Sequence, residues 1–154
     1  MSRGGERPMS IIRRLQPEDC ARLAEIEKLC FSLPWSEEDF RKLLTHSYCT
    51  YLVAEEDGEP VGFCGYTNLC GEADIDHVFV APEFRGKKLA QRLMREILKT
   101  GGEEGVEAYT LEVRVSNAPA IHLYEKFGFV SEGIRPGFYD YPREDALIMW
   151  RRPV

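Results

Sequence analysis

Residues 111–129, LEVRVSNAPAIHLYEKFGF, hold a strand pattern followed directly by a helix pattern. Leu111, Val113 and Val115 alternate with charged residues, and a period of two predicts a strand with these three apolar side chains on one face. Glu112 then points to the opposite face. The stretch therefore predicts a strand that directs one carboxylate away from its apolar side.

Helix signals begin at Asn117, which is a good N-cap, and Pro119 fits the first helical turn, where a missing N–H costs nothing. Gly128 is a natural end for this short helix. Tyr124 lies two turns into it, so strand and helix are expected to bring Glu112 and Tyr124 to one cleft, with neither side chain in the core. A carboxylate and a phenol in one cleft indicate acid and base chemistry. The alternative is a solvated Glu112 and a Tyr124 that only packs.

Length and composition define the class of protein. The 154 residues suffice for one domain with a substantial core, and 44% apolar with 30% charged residues is typical of a soluble globular protein. Apolar runs stay well short of the roughly 18 residues that a membrane span needs. We expect residues 1–9 to be a flexible tail without a secretion signal and residues 10–154 to be a single domain.

Cysteine and charge content narrow the location and the partners. The five cysteines lack the close spacing of zinc or redox motifs, so they predict buried thiols in a reducing cytoplasm and no metal site. They are Cys20, Cys30, Cys49, Cys64 and Cys70. A net charge of −6 works against direct nucleic-acid binding and favours a basic or cationic partner.

Apolar periodicity predicts strands and helices along the rest of the chain. Strands are predicted at residues 11–15, 50–54, 60–66, 73–80, 106–115, 129–134 and 146–150. Helices are predicted from Pro17 and from Ser36, and a third follows the segment 85–90 with helically spaced apolar residues from Ala90 to Leu98. Ser36 forms a capping box with Asp39, and the third helix is expected to end at Gly101–Gly102. Strand, helix and strand over residues 73–115 predict a βαβ unit with a ligand site at its turn. Residues 135–145 are expected to form a long aromatic loop.

Charged side chains on the predicted central strand are candidates for chemistry. Glu72, Asp74 and Asp76 share one face at a period of two, so they are alternative bases, contacts for a cation, or only a hydrated face. His77 is interpreted as a hydrogen-bonded structural histidine, because no partner has metal-ligand spacing.

Arg85, Lys87 and Lys88 lie just before or inside the N-terminus of the third predicted helix, whose first backbone N–H groups are suited to bind phosphate. The cluster predicts an anion site, and a generic basic helix start is the alternative. Three aromatic residues are candidates for contact with the substrate, and packing is the alternative role for each. They are Trp35, Tyr139 and Tyr141.

Together these motifs resemble the GNAT superfamily of acetyl-CoA-dependent N-acetyltransferases over residues 11–150. The superfamily's acetyl-CoA signature falls on residues 85–90, RGKKLA, with Lys88 in place of its central glycine. Its downstream signature is complete, as Asn117, Ala120, Tyr124, Gly128 and Phe129. The resemblance implies an α/β (α+β) fold with a mixed, mostly antiparallel sheet of about seven strands, about four flanking helices and a splayed central cleft for acetyl-CoA.

Carried over by position, the resemblance implies that Glu112 is the general base and Tyr124 the general acid, with acetyl-CoA as co-substrate and no metal. It places acetyl-CoA against Val78, Phe79, Val80, Arg85, Gly86, Lys87, Lys88, Leu89, Ala90, Asn117 and Tyr124. Glycine at position 88 would let the backbone approach the pyrophosphate. Because the helix conformation itself is not expected to require glycine there, acetyl-CoA binding is expected to survive with lysine.

Within the superfamily, residues 34–36 (PWS), 111–117 (LEVRVSN) and 143–150 (REDALIMW) resemble RimI-type enzymes. That likeness implies acetyl transfer to the N-terminal alanine of a small-subunit ribosomal protein, a basic partner. The side chains expected near this substrate are Trp35, Glu112, Tyr139 and Tyr141. Two alternatives stay open: a small-amine acetyltransferase, and a non-catalytic acyl-CoA-binding regulatory module.

Overall fold

The computed structural model describes residues 10–86 and 88–153, so the expected tail at residues 1–9, Lys87 and Val154 lie outside the described residues. Within the described part, seven strands form one sheet. They are β1 (Ser10–Arg14), β2 (Cys49–Glu56), β3 (Glu59–Leu69), β4 (Glu72–Val80), β5 (Ala108–Arg114), β6 (Val130–Tyr139) and β7 (Glu144–Arg151).

Four α-helices lie in the described ranges: α1 (Cys20–Cys30), α2 (Glu37–Leu43), α3 (Leu89–Glu103) and α4 (Ala118–Lys126). The predicted capping box begins α2, since the Ser36 hydroxyl accepts from the Asp39 N–H and the Asp39 carboxylate accepts from the Ser36 N–H. None of the helices in residues 10–86 and 88–153 is long and apolar enough to span a membrane. The expected seven strands and four helices are confirmed.

The sheet order β1-β2-β3-β4-β5-β7-β6 puts β4 and β5 side by side near its centre. These two strands run parallel and are joined through α3 as the predicted βαβ unit, whereas all other described pairs are antiparallel. Among the described residues, their pairing covers only Glu72–Asp74 with Ala108–Thr110. Farther along, β4 stays paired with β3 and β5 with β7, so the two central strands separate toward their carboxyl ends.

Apolar side chains form a core on each face of the sheet. Successive residues of β2 alternate between the two cores: Leu52 and Ala54 join the one under α3 and α4, whereas Tyr51 and Val53 join the one under α1 and α2. The sheet therefore lies between two helical layers, and the gap between β4 and β5 connects them.

The predicted helix end at Gly101–Gly102 is wrong, because α3 continues to Glu103. Gly101 is buried against Tyr109 of β5, and a Cβ atom at position 101 would lie 2.1 Å from the tyrosine hydroxyl. That hydroxyl donates a hydrogen bond to the Leu98 carbonyl at 3.1 Å. Gly101 thus allows close packing of the helix on the strand and does not end the helix.

The predicted long loop at residues 135–145 is also wrong. β6 runs on to Tyr139 and β7 begins at Glu144, so most of this segment is a β-hairpin. Pro136 and Gly137 interrupt the apolar alternation, and the register of the two strands shifts just before Tyr139. A strand with such an irregularity does not show the period of two from which strands were predicted.

Two expectations about burial fail as well. Val115 follows the end of β5 and is 41% exposed, unlike the buried Leu111 and Val113. The five cysteines are not all buried: Cys20 and Cys64 are, whereas Cys30 and Cys49 are half-buried and Cys70 is exposed.

Candidate active site

A cavity of about 650 Å³ lies between the end of β4 and the helices α3 and α4. It is lined by all the described residues for which acetyl-CoA contact is expected, namely Val78, Phe79, Val80, Arg85, Gly86, Lys88, Leu89, Ala90, Asn117 and Tyr124. Lys87 lies outside the described residues. The volume of the cavity falls in the range of roughly 300–1,000 Å³ that is usual for ligand pockets. Three separate stretches of sequence therefore meet at one cavity large enough for a sizeable ligand.

The amino terminus of α3 forms one end of the cavity. Lys88 is the N-cap with φ 63° and ψ 20°, a left-handed conformation that favours glycine, so the expectation that this position does not require glycine needs correction. The Arg85 guanidinium donates to the Val80 carbonyl at 3.2 Å and to Cys30 Sγ at 3.3 Å. These contacts hold the turn against β4. The first N–H groups of this 15-residue helix provide an electropositive end suited to a phosphate.

Replacing Lys88 with glycine is expected to stabilise the protein by about 0.5–1 kcal/mol. A left-handed L-residue costs about 1–2 kcal/mol, and the extra freedom of glycine in the unfolded chain offsets part of the gain. Urea unfolding gives the free energy directly. The matched control is Lys99→Gly in the interior of α3, which is expected to destabilise by about 1 kcal/mol. Equal losses in the two variants would contradict the assigned backbone conformation.

Tyr124 lines the same cavity from α4, which Asn117 caps through its side-chain oxygen as predicted. The tyrosine is buried and its ring packs 5.9 Å from that of Phe129, so the expectation that it lies outside the core is wrong. Burial first, and then the nearby Cys64 and Tyr139, raise the pKa of Tyr124 above that of an ordinary phenol. Its hydroxyl therefore remains protonated, and able to donate, at neutral pH.

Glu112 lies on β5 just beyond the residues that pair with β4. Its Oε2 is 3.1 Å from a guanidinium nitrogen of Arg135, and its side chain is 26% exposed. Asp74 of β4 is close by: burial and then the Glu112 charge raise the pKa of Asp74, whereas Arg135 lowers it. Glu112 is thus an accessible carboxylate that shares one arginine with a second acid.

The Arg114 side chain binds the turn between β6 and β7, close to Glu112 and Arg135. Its guanidinium donates to Pro142 O, Asp140 O and Glu144 Oε1 at 2.8, 3.0 and 3.1 Å. It also lies 4.5 Å from the ring centroid of Tyr139. Burial and then the Glu112 charge raise the pKa of Tyr139 to about 12. Tyr139 therefore lies within electrostatic reach of both predicted catalytic side chains, whereas Tyr141 is exposed in the turn.

Sequence reasoning missed Glu27, which is fully buried in α1. One carboxylate oxygen accepts from the Trp35 N–H at 3.1 Å, and the other lies 3.0 Å from His77 Nδ1. The imidazole also stacks on the Trp35 indole, with ring centroids 3.8 Å apart. His77 is hydrogen-bonded as predicted, and this group ties the α1–α2 connection to β4. The available signal was spacing, since Glu27 lies four residues after Leu23 on the apolar face of the helix.

The acidic residues Glu72, Asp74 and Asp76 are all exposed, but the carboxylates of Asp74 and Asp76 lie close enough to the protein for burial to raise their pKa values. The shift is large at Asp76, whose pKa is raised to about 6. In the part of the chain that the structure describes, no three potential metal ligands come together. Asp76 therefore keeps its proton to a higher pH than an ordinary aspartate does.

Comparison with known proteins adds the family. The model of the acetyltransferase (GNAT) family matches residues 20–129. A putative ribosomal protein bS18-alanine N-acetyltransferase of Bacillus subtilis is 41% identical over 140 residues, which are 90% of this chain and 93% of that protein. The ribosomal protein bS18-alanine N-acetyltransferase of Escherichia coli K12 is 32% identical over 143 residues, covering 92% and 96% of the two chains.

A solved structure is similar over nearly the whole fold. The crystal structure of the ribosomal-protein-S18-alanine N-acetyltransferase from Escherichia coli aligns with a TM-score of 0.86 and 29% sequence identity. The alignment covers 95% of this chain and 96% of that one. The similarity therefore extends over nearly the whole length of both chains.

Proposed function

The chain belongs to the acetyltransferase (GNAT) family and is an N-acetyltransferase, and from this we propose that it transfers the acetyl group of acetyl-CoA to the α-amine of a protein N-terminus. The observation that carries the proposal is one cavity, which is lined by all the described residues that are expected to contact acetyl-CoA. Its electropositive end at α3 suits the pyrophosphate, and its other walls bring Tyr124 into reach of the ligand.

In the proposed reaction Glu112 removes a proton from the incoming ammonium, directly or through water. The neutral amine nitrogen then attacks the acetyl carbonyl carbon, a C–N bond forms, the C–S bond breaks, and the nitrogen releases its second proton to solvent as the amide forms. Tyr124 donates its hydroxyl hydrogen to the departing thiolate and regains a proton from solvent. Because the pKa of Tyr124 is raised, this side chain acts mainly as a hydrogen-bond donor that stabilises negative charge on sulfur, and completion of the transfer is uphill.

An α-amine is the easier acceptor for this site. It titrates near about 7.7–8.0 and a lysine side chain near about 10.4, so deprotonating lysine at neutral pH requires roughly 3.5 kcal/mol more. Glu112 is partly hydrated and pairs with Arg135. A single carboxylate assigned to remove the proton suits the amine that loses its proton more readily.

The acceptor that we propose is the N-terminal alanine of ribosomal protein bS18, which the names of the Bacillus subtilis and Escherichia coli relatives specify for those proteins. Acidic side chains on β4 and the β6–β7 hairpin support a basic protein as partner, since complementary charges favour encounter. Trp35, Tyr139 and Tyr141 are proposed to contact the first residues of this substrate. Small amines remain the competing acceptor class.

Incubating the full chain with acetyl-CoA and a peptide that begins Ala-Arg, and then weighing the peptide, tests the proposal. We expect the peptide to gain the mass of one acetyl group. A non-catalytic acyl-CoA-binding module would bind acetyl-CoA in calorimetry and leave the peptide mass unchanged. A small-amine enzyme would acetylate spermidine in preference to the peptide.

Charge reversal at Arg85 tests the donor site separately from transfer. We expect Arg85→Glu to raise the acetyl-CoA dissociation constant at least about tenfold, because hydrogen bonds to charged groups contribute about 1.5–3 kcal/mol. Isothermal calorimetry measures it. Arg95→Glu, an exposed change on α3 outside this cavity, is the matched control and should leave the constant unchanged. Equal affinities for the Arg85 variant and the unmodified chain would show that the pyrophosphate binds elsewhere.

A further inference from the structure

Arg135 lies where the amine of the acceptor is proposed to react. One of its guanidinium nitrogens is 3.1 Å from Glu112 Oε2, and its side chain is 54% exposed. The guanidinium also lies 5.2 Å from the ring centroid of Phe138, in a cation–π contact on the same strand. Arg135 is therefore a solvent-accessible cation held beside the proposed base from the β6–β7 hairpin.

The positive charge acts on more than one carboxylate. Asp74 of β4 pairs with Thr110 of β5, two residues before Glu112, so both acids border the gap between the central strands. Arg135 opposes the effect of Glu112 on the pKa of Asp74, which places all three charges within electrostatic reach. Asp76 follows along β4 beside His77. The acceptor end of the site thus places several acids near Glu112 together with the Arg135 guanidinium, whereas the nearby Arg114 guanidinium is bound to the β6–β7 turn.

We propose that Arg135 is a specificity-determining residue, which occupies the position beside Glu112 where a second cation of the acceptor would bind and so selects for amines with one positive charge near the reacting nitrogen. The inference rests on the proposed function, because it takes Glu112 as the group that receives the amine. A single ammonium can share the carboxylates with Arg135. A diamine brings a second charge against the guanidinium and is repelled.

The size of the effect follows from Coulomb's law. Two unit charges about 6 Å apart at a partly hydrated surface interact strongly enough to change a rate about tenfold. Because Arg135 is more than half exposed, salt should screen the repulsion. Because more than half of the side chain is exposed, we expect its replacement to leave the fold intact. The ratio of the rates on two acceptors then reports on selectivity.

The test compares two tripeptides that differ only at the end of the first side chain. 2,4-Diaminobutyryl-Gly-Tyr carries a second ammonium, and norvalyl-Gly-Tyr carries a methyl group in its place. We expect the unmodified enzyme to prefer the norvalyl peptide in kcat/KM, and Arg135→Gln to reduce that preference about tenfold, less so at high salt. Arg135→Lys, which keeps the charge, should retain the preference.

Arg152→Gln is the matched control, because Arg152 is similarly exposed and also pairs with a glutamate. Arg152 directly follows β7, and its guanidinium lies 2.8 Å from the carboxylate of Glu132 on β6. It should leave the preference unchanged. The inference is overturned if Arg135→Gln alters the preference less than about twofold, or if Arg152→Gln alters it equally. Acetyl transfer with unchanged preference removes this inference alone, whereas failure of the unmodified chain to acetylate any peptide α-amine removes the proposed function and the inference with it.

Discussion

Replacing Glu112 with glutamine is expected to lower the turnover number about 10²–10⁴-fold, the usual contribution of a positioned base. Glutamine keeps the size and one acceptor oxygen of the side chain but cannot take the proton of the ammonium. Acetyl-CoA affinity should be preserved, since Glu112 is not among the residues that line the donor cavity. Initial-rate assays with saturating acetyl-CoA measure the turnover number, and calorimetry measures the acetyl-CoA affinity.

The control for this change is Glu132→Gln, which removes a carboxylate on β6 that pairs with Arg152 and not with Arg135, and it should keep normal turnover. Near-normal turnover in Glu112→Gln would contradict the assignment and move the base to Asp74 or Asp76. The pH profile distinguishes them. Because the pKa of Asp76 is about 6, a rate that depends on this carboxylate falls as the pH drops through about 6.

Removing only the hydroxyl of Tyr124 is expected to have the second large effect. Tyr124→Phe keeps the buried ring and its contact with Phe129, so folding and acetyl-CoA binding should persist. Acetyl transfer should slow by about 10²-fold or more, because the thiolate then leaves without its donor. Acetyl-CoA analogues with a better leaving thiol should recover much of the lost rate.

Tyr109→Phe provides the matched control, since it deletes a buried tyrosine hydroxyl that donates to Leu98 O in α3 and lies outside the donor cavity. It should leave transfer unchanged, although it removes one hydrogen bond. A Tyr124→Phe enzyme with normal rates would mean that the thiolate acquires its proton from water.

Regular patterns in the sequence predicted the parts of the fold that depend on local preferences. The predicted strand at residues 73–80 became β4, and the capping box at Ser36 begins α2, because period, cap and turn chemistry act over a few residues. The predicted end of α3 was wrong because glycine commonly ends a helix by local preference. Here Gly101 instead allows close contact with Tyr109, which lies on a strand elsewhere in the fold.

The missing parts of the site are contacts between residues far apart in the chain. Arg135 and Glu112 come together through the order of β5, β7 and β6, which no short pattern reveals. The strand predicted at residues 129–134 stops one residue short of Arg135, because Pro136 and Gly137 interrupt the apolar alternation, whereas the strand in the structure continues to Tyr139. Lys88 was recognised as a departure from the family signature, but its left-handed backbone could be found only from coordinates.

The most direct test of the central claim is where the acetyl group goes when the enzyme is given two peptides of one sequence. One begins with a free Ala-Arg α-amine, and the other has a blocked N-terminus and a free lysine. We expect acetylation of the first at its α-amine at a much higher rate, because lysine requires roughly 3.5 kcal/mol more to lose its proton at neutral pH. Fragmentation by mass spectrometry locates the acetyl group. Equal rates on the two peptides, or acetyl on lysine, would contradict N-terminal transfer.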